Sequence, residues 1–172
     1  LQDLKLRMSS TNPDAQYDIF RSSVLEHFQF LESEYGFKFT RFREDEGDGR
    51  DNLAHIIARF EKEGARIEVS WTPDTSRPGA ISFVFYLENY NLPRASRYAV
   101  GDPLLEFLTD GEVKSLIYPS SFVSAREQNA MRAEILRDGL APAIKFMANR
   151  LRDHMDKIGS LTPETLLEFH EW

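Results

Sequence analysis

Three prolines that follow a short polar residue constrain this chain most, because each pair marks a helix start. The pairs are Asn12-Pro13, Asp102-Pro103 and Thr162-Pro163. The polar side chain can accept a hydrogen bond from an amide of the first helical turn, and proline at the first helical position loses only an amide that has no partner there. The pairs therefore predict helices near the start, beyond the middle and near the end of the sequence.

The segment after the first pair has helical periodicity. Its apolar residues recur every three or four positions: Phe20, Val24, Phe28, Leu31 and Tyr35. They lie on one stripe of a helix, and the glycine that follows, Gly36, is typical of a helix end. We therefore predict a helix from Pro13 to Tyr35.

Four segments alternate apolar and polar residues and predict strands. The first runs from Phe37 to Arg43, and its alternation slips at Phe42, as it does at a β-bulge or at the end of a strand. The apolar positions of the other three are Ala54, Ile56, Ala58 and Phe60, then Ile67, Val69 and Trp71, then Ile81, Phe83, Phe85 and Leu87. Their short connections favour an antiparallel meander.

The second half of the chain is predicted to be mostly helical. The segment from Asn89 to Gly101 has no regular pattern, and a short helix is expected from Pro103 to Leu108. Ser124 and Glu127 form a capping box before a long amphipathic region that continues to Gly159. Gly139 and Pro142 lie inside this region and predict a kink or two consecutive helices.

These elements predict an α+β fold. We expect one domain, residues 1–172, with a four-stranded, mostly antiparallel sheet. An N-terminal helix and the long C-terminal helices should pack on one face of this sheet, because its apolar face needs a cover.

Composition disfavours several functional classes. The net charge of −7 and the pI of about 5.2 argue against a broad basic surface for nucleic acid or an anionic membrane, but leave a local basic patch open. No apolar run approaches the roughly 18 to 20 residues that span a bilayer. The chain has no cysteine, which excludes thiolate chemistry and weakly favours the cytoplasm. We therefore predict a cytoplasmic protein that binds neither a membrane nor nucleic acid.

Acidic residues are densest in one loop: Glu44, Asp45, Glu46, Asp48 and Asp51. A calcium loop would need a bidentate glutamate at the twelfth position from Glu44, where this sequence has His55. We therefore predict no metal here. Our hypothesis is that the loop binds a basic protein partner through charge complementarity.

A second candidate site combines aromatic and basic residues in the irregular segment. Tyrosines and arginines are typical of recognition surfaces. The candidate ligand-binding residues are His55, Tyr90, Arg94, Arg97 and Tyr98, near Tyr86. This pattern favours a ligand pocket beside the segment from Asn89 to Asp102.

No motif predicts a catalytic residue. The four histidines lack the spacing of a metalloenzyme motif, no serine has a nucleophile-elbow context, and Gly47-Asp48-Gly49 does not continue as a phosphate-binding loop. We therefore predict no catalytic residue, no cofactor and no metal, which favours a binding protein over an enzyme.

The segment from Val24 to Phe39, VLEHFQFLESEYGFKF, precedes alternating strands and a long C-terminal amphipathic helix. This order resembles small uncharacterised bacterial α+β proteins, some of which are near polymorphic-toxin immunity proteins. The resemblance implies a cytoplasmic bacterial protein that acts by binding a protein partner.

Three functions stay open from the sequence. The first is a non-enzymatic protein-binding module, and the second is a small-ligand-binding protein or an enzyme with a pocket near Asn89 to Asp102. The third is a self-associating structural protein, a homodimer through Phe122, Trp71 and the aromatic residues of Phe169 to Trp172. The alternative for these aromatic residues is that they complete the core.

Overall fold

The computed structural model describes residues 13–45, 55–72, 80–88, 93, 97–116 and 122–172. The strands in these ranges are β1 (Lys38–Asp45), β2 (His55–Lys62), β3 (Ala65–Thr72), β4 (Ala80–Leu87) and β5 (Tyr98–Val100). The helices are α1 (Pro13–His27), α2 (Phe30–Ser33), α3 (Gly101–Leu108), α4 (Ala125–Ile135), α5 (Leu140–Arg152), α6 (Met155–Gly159) and α7 (Pro163–Glu171).

The described strands form one antiparallel sheet in the order β1-β2-β3-β4-β5. The predicted α+β class and the antiparallel meander are confirmed. The prediction of four strands is wrong, because Tyr98–Val100 pairs with β4 as a fifth strand inside the segment expected to be irregular. A strand of three residues is too short to produce a recognisable alternation.

A β-bulge in β1 accounts for the slip that the sequence predicted. Phe39 lies opposite Phe60 and Arg41 lies opposite Arg59, so Thr40 is the additional residue. The extra residue returns Phe42 to the face of Phe39, and their ring centroids are 4.8 Å apart. Without the bulge, Phe42 would point away from the core.

The core lies between one face of the sheet and the helices. Phe20 of α1 stacks on Trp71 with ring centroids 6.2 Å apart, and Phe28, just after α1, stacks on Phe60 at 6.3 Å. Ile144 and Leu151 of α5 are fully buried in the same apolar cluster. These contacts place α1 and α5 on the predicted apolar face.

The predicted helix from Pro13 to Tyr35 is interrupted after His27. Phe28 and Phe30 are both buried and their rings stack 6.0 Å apart. In a continuous helix, residues two positions apart are rotated by about 200° and cannot both face the core. The break lets both rings enter it, and Gly36, with a φ of 72°, ends the segment as predicted.

The proline-based helix starts have different outcomes. α7 begins at Pro163, and the Thr162 hydroxyl accepts a hydrogen bond from the Thr165 amide, as predicted. α1 begins at Pro13, whereas Asn12 lies outside the described residues. The predicted cap at Asp102 is wrong, because α3 begins at Gly101, two residues before the expected start at Pro103. Asp102 therefore lies inside the helix, and its side chain is buried.

The C-terminal helices follow their predicted signals. The Ser124 and Glu127 capping box is present at the start of α4. Gly139, with a φ of 108°, separates α4 from α5, which confirms the expected interruption. The region to Gly159 contains a further break between α5 and α6.

Side chains cap both edges of the sheet. At the β1 edge, the Glu32 carboxylate of α2 accepts a hydrogen bond from the Phe39 amide at 3.0 Å. At the β5 edge, Nε2 of His170 in α7 lies 2.8 Å from the Tyr98 carbonyl oxygen, to which it donates. Such caps reduce the tendency of an edge strand to pair with another chain.

Candidate functional site

The sheet face opposite the core carries polar and aromatic side chains. Alternation along each strand assigns its members, which we call the open face. They are Lys38, Arg41, Arg43, Ile57, Arg59, Glu61, Arg66, Glu68, Ser70, Ser82, Val84, Tyr86, Tyr98 and Val100. Most are half-buried or exposed, so this face is the broadest polar surface on the described strands.

Two arginines and two glutamates form a fixed network at the centre of the open face. Arg59 donates to the carboxylate of Glu68 from Nε at 2.9 Å and from Nη2 at 2.7 Å. Nη1 of Arg66 lies 3.1 Å from Glu88, and its Nε lies 3.6 Å from Glu68. Glu68 is only 8 % exposed, so these arginines take the place of water around its carboxylate. The network therefore holds its side chains in one arrangement.

An aromatic row continues from this network across β4 and β5. The guanidinium of Arg66 lies 4.0 Å from the ring centroid of Tyr86, a cation–π contact. Tyr86 stacks on Tyr98 with centroids 6.2 Å apart, and Tyr98 contacts His170 at 5.3 Å. We call Tyr86, Tyr98 and His170 the aromatic corner.

The pKa of Tyr86 is raised by burial and by the negative charge of Glu68, against the opposing effect of Arg66. The Tyr86 hydroxyl is therefore protonated at neutral pH. It donates a hydrogen bond to Glu68 and cannot act as a base, which suits an ordered recognition surface better than proton abstraction.

Ring contacts extend from the aromatic corner to the end of α7. Phe169 contacts His170 at 5.2 Å and Phe107 at 5.7 Å, and Trp172 stacks on Phe122 at 6.0 Å. Trp172 also contacts Phe107 at 5.6 Å. We call Phe107, Phe122, Phe169 and Trp172 the C-terminal aromatic cluster. Its outer members are well exposed, Trp172 by 52 % and Phe122 by 44 %.

The acidic loop is described only at its margin. Glu44 is exposed near the end of β1 and forms an ion pair with Arg21 of α1, which places it on the helix side of the sheet. Asp45 lies opposite His55 in the strand register. The remaining predicted residues of this loop, Glu46, Asp48 and Asp51, lie outside the described residues.

The alternative ligand site is described in part. The structure brings Tyr98 to Tyr86 and His170, and Arg97 is half-buried, with its carbonyl accepting the Leu87 amide at 2.6 Å. Tyr90 and Arg94 lie outside the described residues, and His55 begins β2.

The proposed homodimer residues do not all lie at the surface. Trp71 is 5 % exposed and packs in the core against Tyr17 and Phe20. For Trp71 the structure therefore has the second alternative, completion of the core, and not an exposed homodimer surface. Phe122 and Trp172 are exposed and in contact.

A second polar cluster is internal, and sequence reasoning missed it. Asp102 accepts a hydrogen bond from the Leu116 amide at 2.9 Å and another from Nε of Arg150 at 3.2 Å. Burial raises the pKa of Asp102, and Arg150 opposes the shift. Both carboxylate oxygens are engaged, so the pair joins α3 to α5 and to the loop before α4. Arg150 is distant in sequence, and no local pattern indicates the pairing.

The described residues contain neither a membrane-crossing helix nor a metal-binding cluster. In these ranges no helix is both long enough and apolar enough to cross a bilayer, and no group of histidine, aspartate and glutamate side chains converges as a metal site would require. Comparisons of the chain with protein-family models, curated proteins and solved structures found no match.

Proposed function

We propose that this protein is a non-enzymatic protein-binding module and that the aromatic corner and the C-terminal aromatic cluster form its main contact surface. The observation that carries the proposal is the unbroken series of ring contacts from Tyr86 to Phe122. Tyrosine, tryptophan and arginine supply most of the energy in protein interfaces. Adjacent exposed aromatic side chains are typical of such surfaces.

The network around Glu68 supports this proposal. Arg59 and Arg66 are held by carboxylates, and Arg66 in turn packs on Tyr86. A surface whose side chains are already ordered loses less conformational entropy when a partner binds.

The resemblance to immunity-like proteins suggests a specific form of the proposal, the neutralisation of a toxin in the bacterial cytoplasm. A basic partner would then also contact the acidic loop. Charge reversal at Glu44 and Asp45 should weaken binding if that loop contributes.

The proposal is tested by capturing the partner from the source cell, purifying it and measuring its affinity by isothermal titration calorimetry. Replacing Trp172 by alanine should weaken binding at least tenfold, or about 1.4 kcal/mol, because an aromatic anchor is lost. Phe146→Ala is the matched control, since Phe146 is 42 % exposed but lies on α5 outside the cluster. Equal losses in the two variants would contradict the proposed surface.

Self-association through the same cluster is a second candidate, favoured by the exposure of Trp172 and Phe122. Sedimentation equilibrium distinguishes it from binding to another protein. A wild-type dimer that becomes monomeric in Trp172→Ala would establish self-association. A monomer in both cases would exclude it.

A further inference from the structure

We infer that the β1–β2 side of the open face binds an acidic segment of the partner protein. This inference rests on the proposed function and specifies the partner's chemistry. The basic residues on this side are Lys38, Arg41, Arg43 and Arg59. They are concentrated here although the whole chain has a net charge of −7.

Arg41 has no carboxylate beside it in the described ranges, whereas the arginine opposite it on β2 has one. Arg41 lies directly opposite Arg59, and like charges in opposite positions destabilise a sheet. Arg59 is compensated by Glu68 at 2.7 Å. Arg41 is exposed and, like Lys38, makes no ion pair with any residue in the described ranges. A carboxylate from a partner would give Arg41 the counterion that Glu68 gives Arg59.

The pattern of charge favours a protein segment over a nucleic acid. Glu61, Glu68 and Glu88 lie among the arginines and would repel a continuous phosphate backbone. A protein segment offers separate carboxylates. Its alternate side chains lie about 7 Å apart on one face, which lets them meet separate basic side chains along β1.

The basic side and the aromatic corner lie on the same face. With strands about 4.8 Å apart, β1 and β5 are separated by roughly 19 Å, which about six extended residues can cross. We therefore expect the partner segment to be acidic at one end, over Arg41, and apolar at the other, over Tyr98.

A competing explanation for the basic residues of β1 is that they protect this edge strand from pairing with other chains. Charged side chains on an edge strand prevent pairing with other chains and require no partner. The two explanations differ in what Arg41→Gln does. Edge protection predicts more self-association, whereas an anion-binding role predicts weaker binding of an acidic ligand.

The test uses a synthetic peptide of about twelve residues with glutamates in its first half and leucine and phenylalanine in its second. Amide chemical shifts of the folded protein should change in β1, β2 and β5 on titration. Arg41→Gln should weaken binding about threefold, as expected for one exposed ion pair, and the double variant with Lys38→Gln should weaken it more. Arg126→Gln, an exposed charge on α4, is the matched control.

Four outcomes would overturn the inference. The first is an equal loss of peptide affinity in Arg126→Gln and Arg41→Gln, and the second is equal affinity for a peptide with glutamine in place of glutamate. The third is tighter binding of an oligothymidylate to the same strands. The fourth is no change in the amide chemical shifts at millimolar peptide. The partner-binding experiment with Trp172→Ala tests the proposed function independently of this inference. If Trp172→Ala weakens binding of the purified partner and Arg41→Gln does not, the aromatic surface stands and the acidic segment is refuted.

Discussion

Replacing Arg150 should destabilise the protein far more than replacing Asp102, although the two side chains form one ion pair. The Asp102 side chain has no exposed surface, whereas that of Arg150 is 12 % exposed. Arg150 also donates to the Lys114 carbonyl, so it has a second partner. The aspartate has no comparable access to solvent, and the pair is therefore asymmetric.

Arg150→Met removes the positive charge but retains much of the apolar stem. It leaves the Asp102 carboxylate buried without a counterion, a situation that costs about 3 to 5 kcal/mol. For a domain of this size, each kcal/mol lowers the melting temperature by roughly 2 to 4 °C. The variant should therefore melt about 10 °C below the wild type.

Asp102→Asn should change the free energy of unfolding by less than about 1 kcal/mol at pH 7. Asparagine can still accept the Leu116 amide, and it removes a buried charge. Burial raises the pKa of Asp102, so the folded state binds this proton more tightly than the unfolded state. The resulting stability is fully present below the unfolded pKa, near 3.8, and falls as the pH rises towards the folded pKa. Asp102→Asn should lack this fall.

The measurement is urea unfolding followed by tryptophan fluorescence and circular dichroism at a series of pH values. The wild type should lose stability relative to Asp102→Asn as the pH rises above 3.8. Equal destabilisation of Asp102→Asn and Arg150→Met would refute the asymmetry. A constant difference between wild type and Asp102→Asn across pH would refute the assigned direction of the pKa shift.

Two further predictions concern a tightly packed glycine and a helix cap. Gly101→Ala should lower the free energy of unfolding by about 2 kcal/mol or more, because a Cβ there would lie 1.9 Å from the ring of Phe83, which is 1 % exposed. Thermal unfolding measures this change, and an unchanged melting temperature would contradict the prediction. Ser124→Ala should cost about 1 kcal/mol through loss of the N-cap of α4, while Ser124→Asp should restore most of the stability in the same assay.

Local signals predicted much of the fold. The slip at Phe42 indicated a bulge or a strand end, and the structure has the bulge; the start of α7 followed from Thr162-Pro163. The cap predicted at Asp102 failed because tertiary partners compete for its carboxylate: the Leu116 amide and Arg150 bind it instead of the helix amides. A local pattern carries no information about such distant donors.

The candidate surface was only partly predictable. Tyr98 was a candidate from the sequence, and the charged residues of β3 alternate with apolar ones. Their contacts depend on strand register, which places Arg66 beside Tyr86 and Tyr86 beside Tyr98. The addition of His170 depends on how α7 docks, and nothing near His170 in the sequence indicates its contact with Tyr98.

The caps at Glu32 and His170 link the integrity of the sheet edges to the docking of two helices. When α7 detaches, the Tyr98 carbonyl loses its donor and β5 becomes a template for another chain. Heating or proteolysis near the end of α7 should therefore start aggregation while the buried residues around Phe83 are still packed. Resistance to aggregation would then depend on the local stability of α7 more than on the global free energy of unfolding.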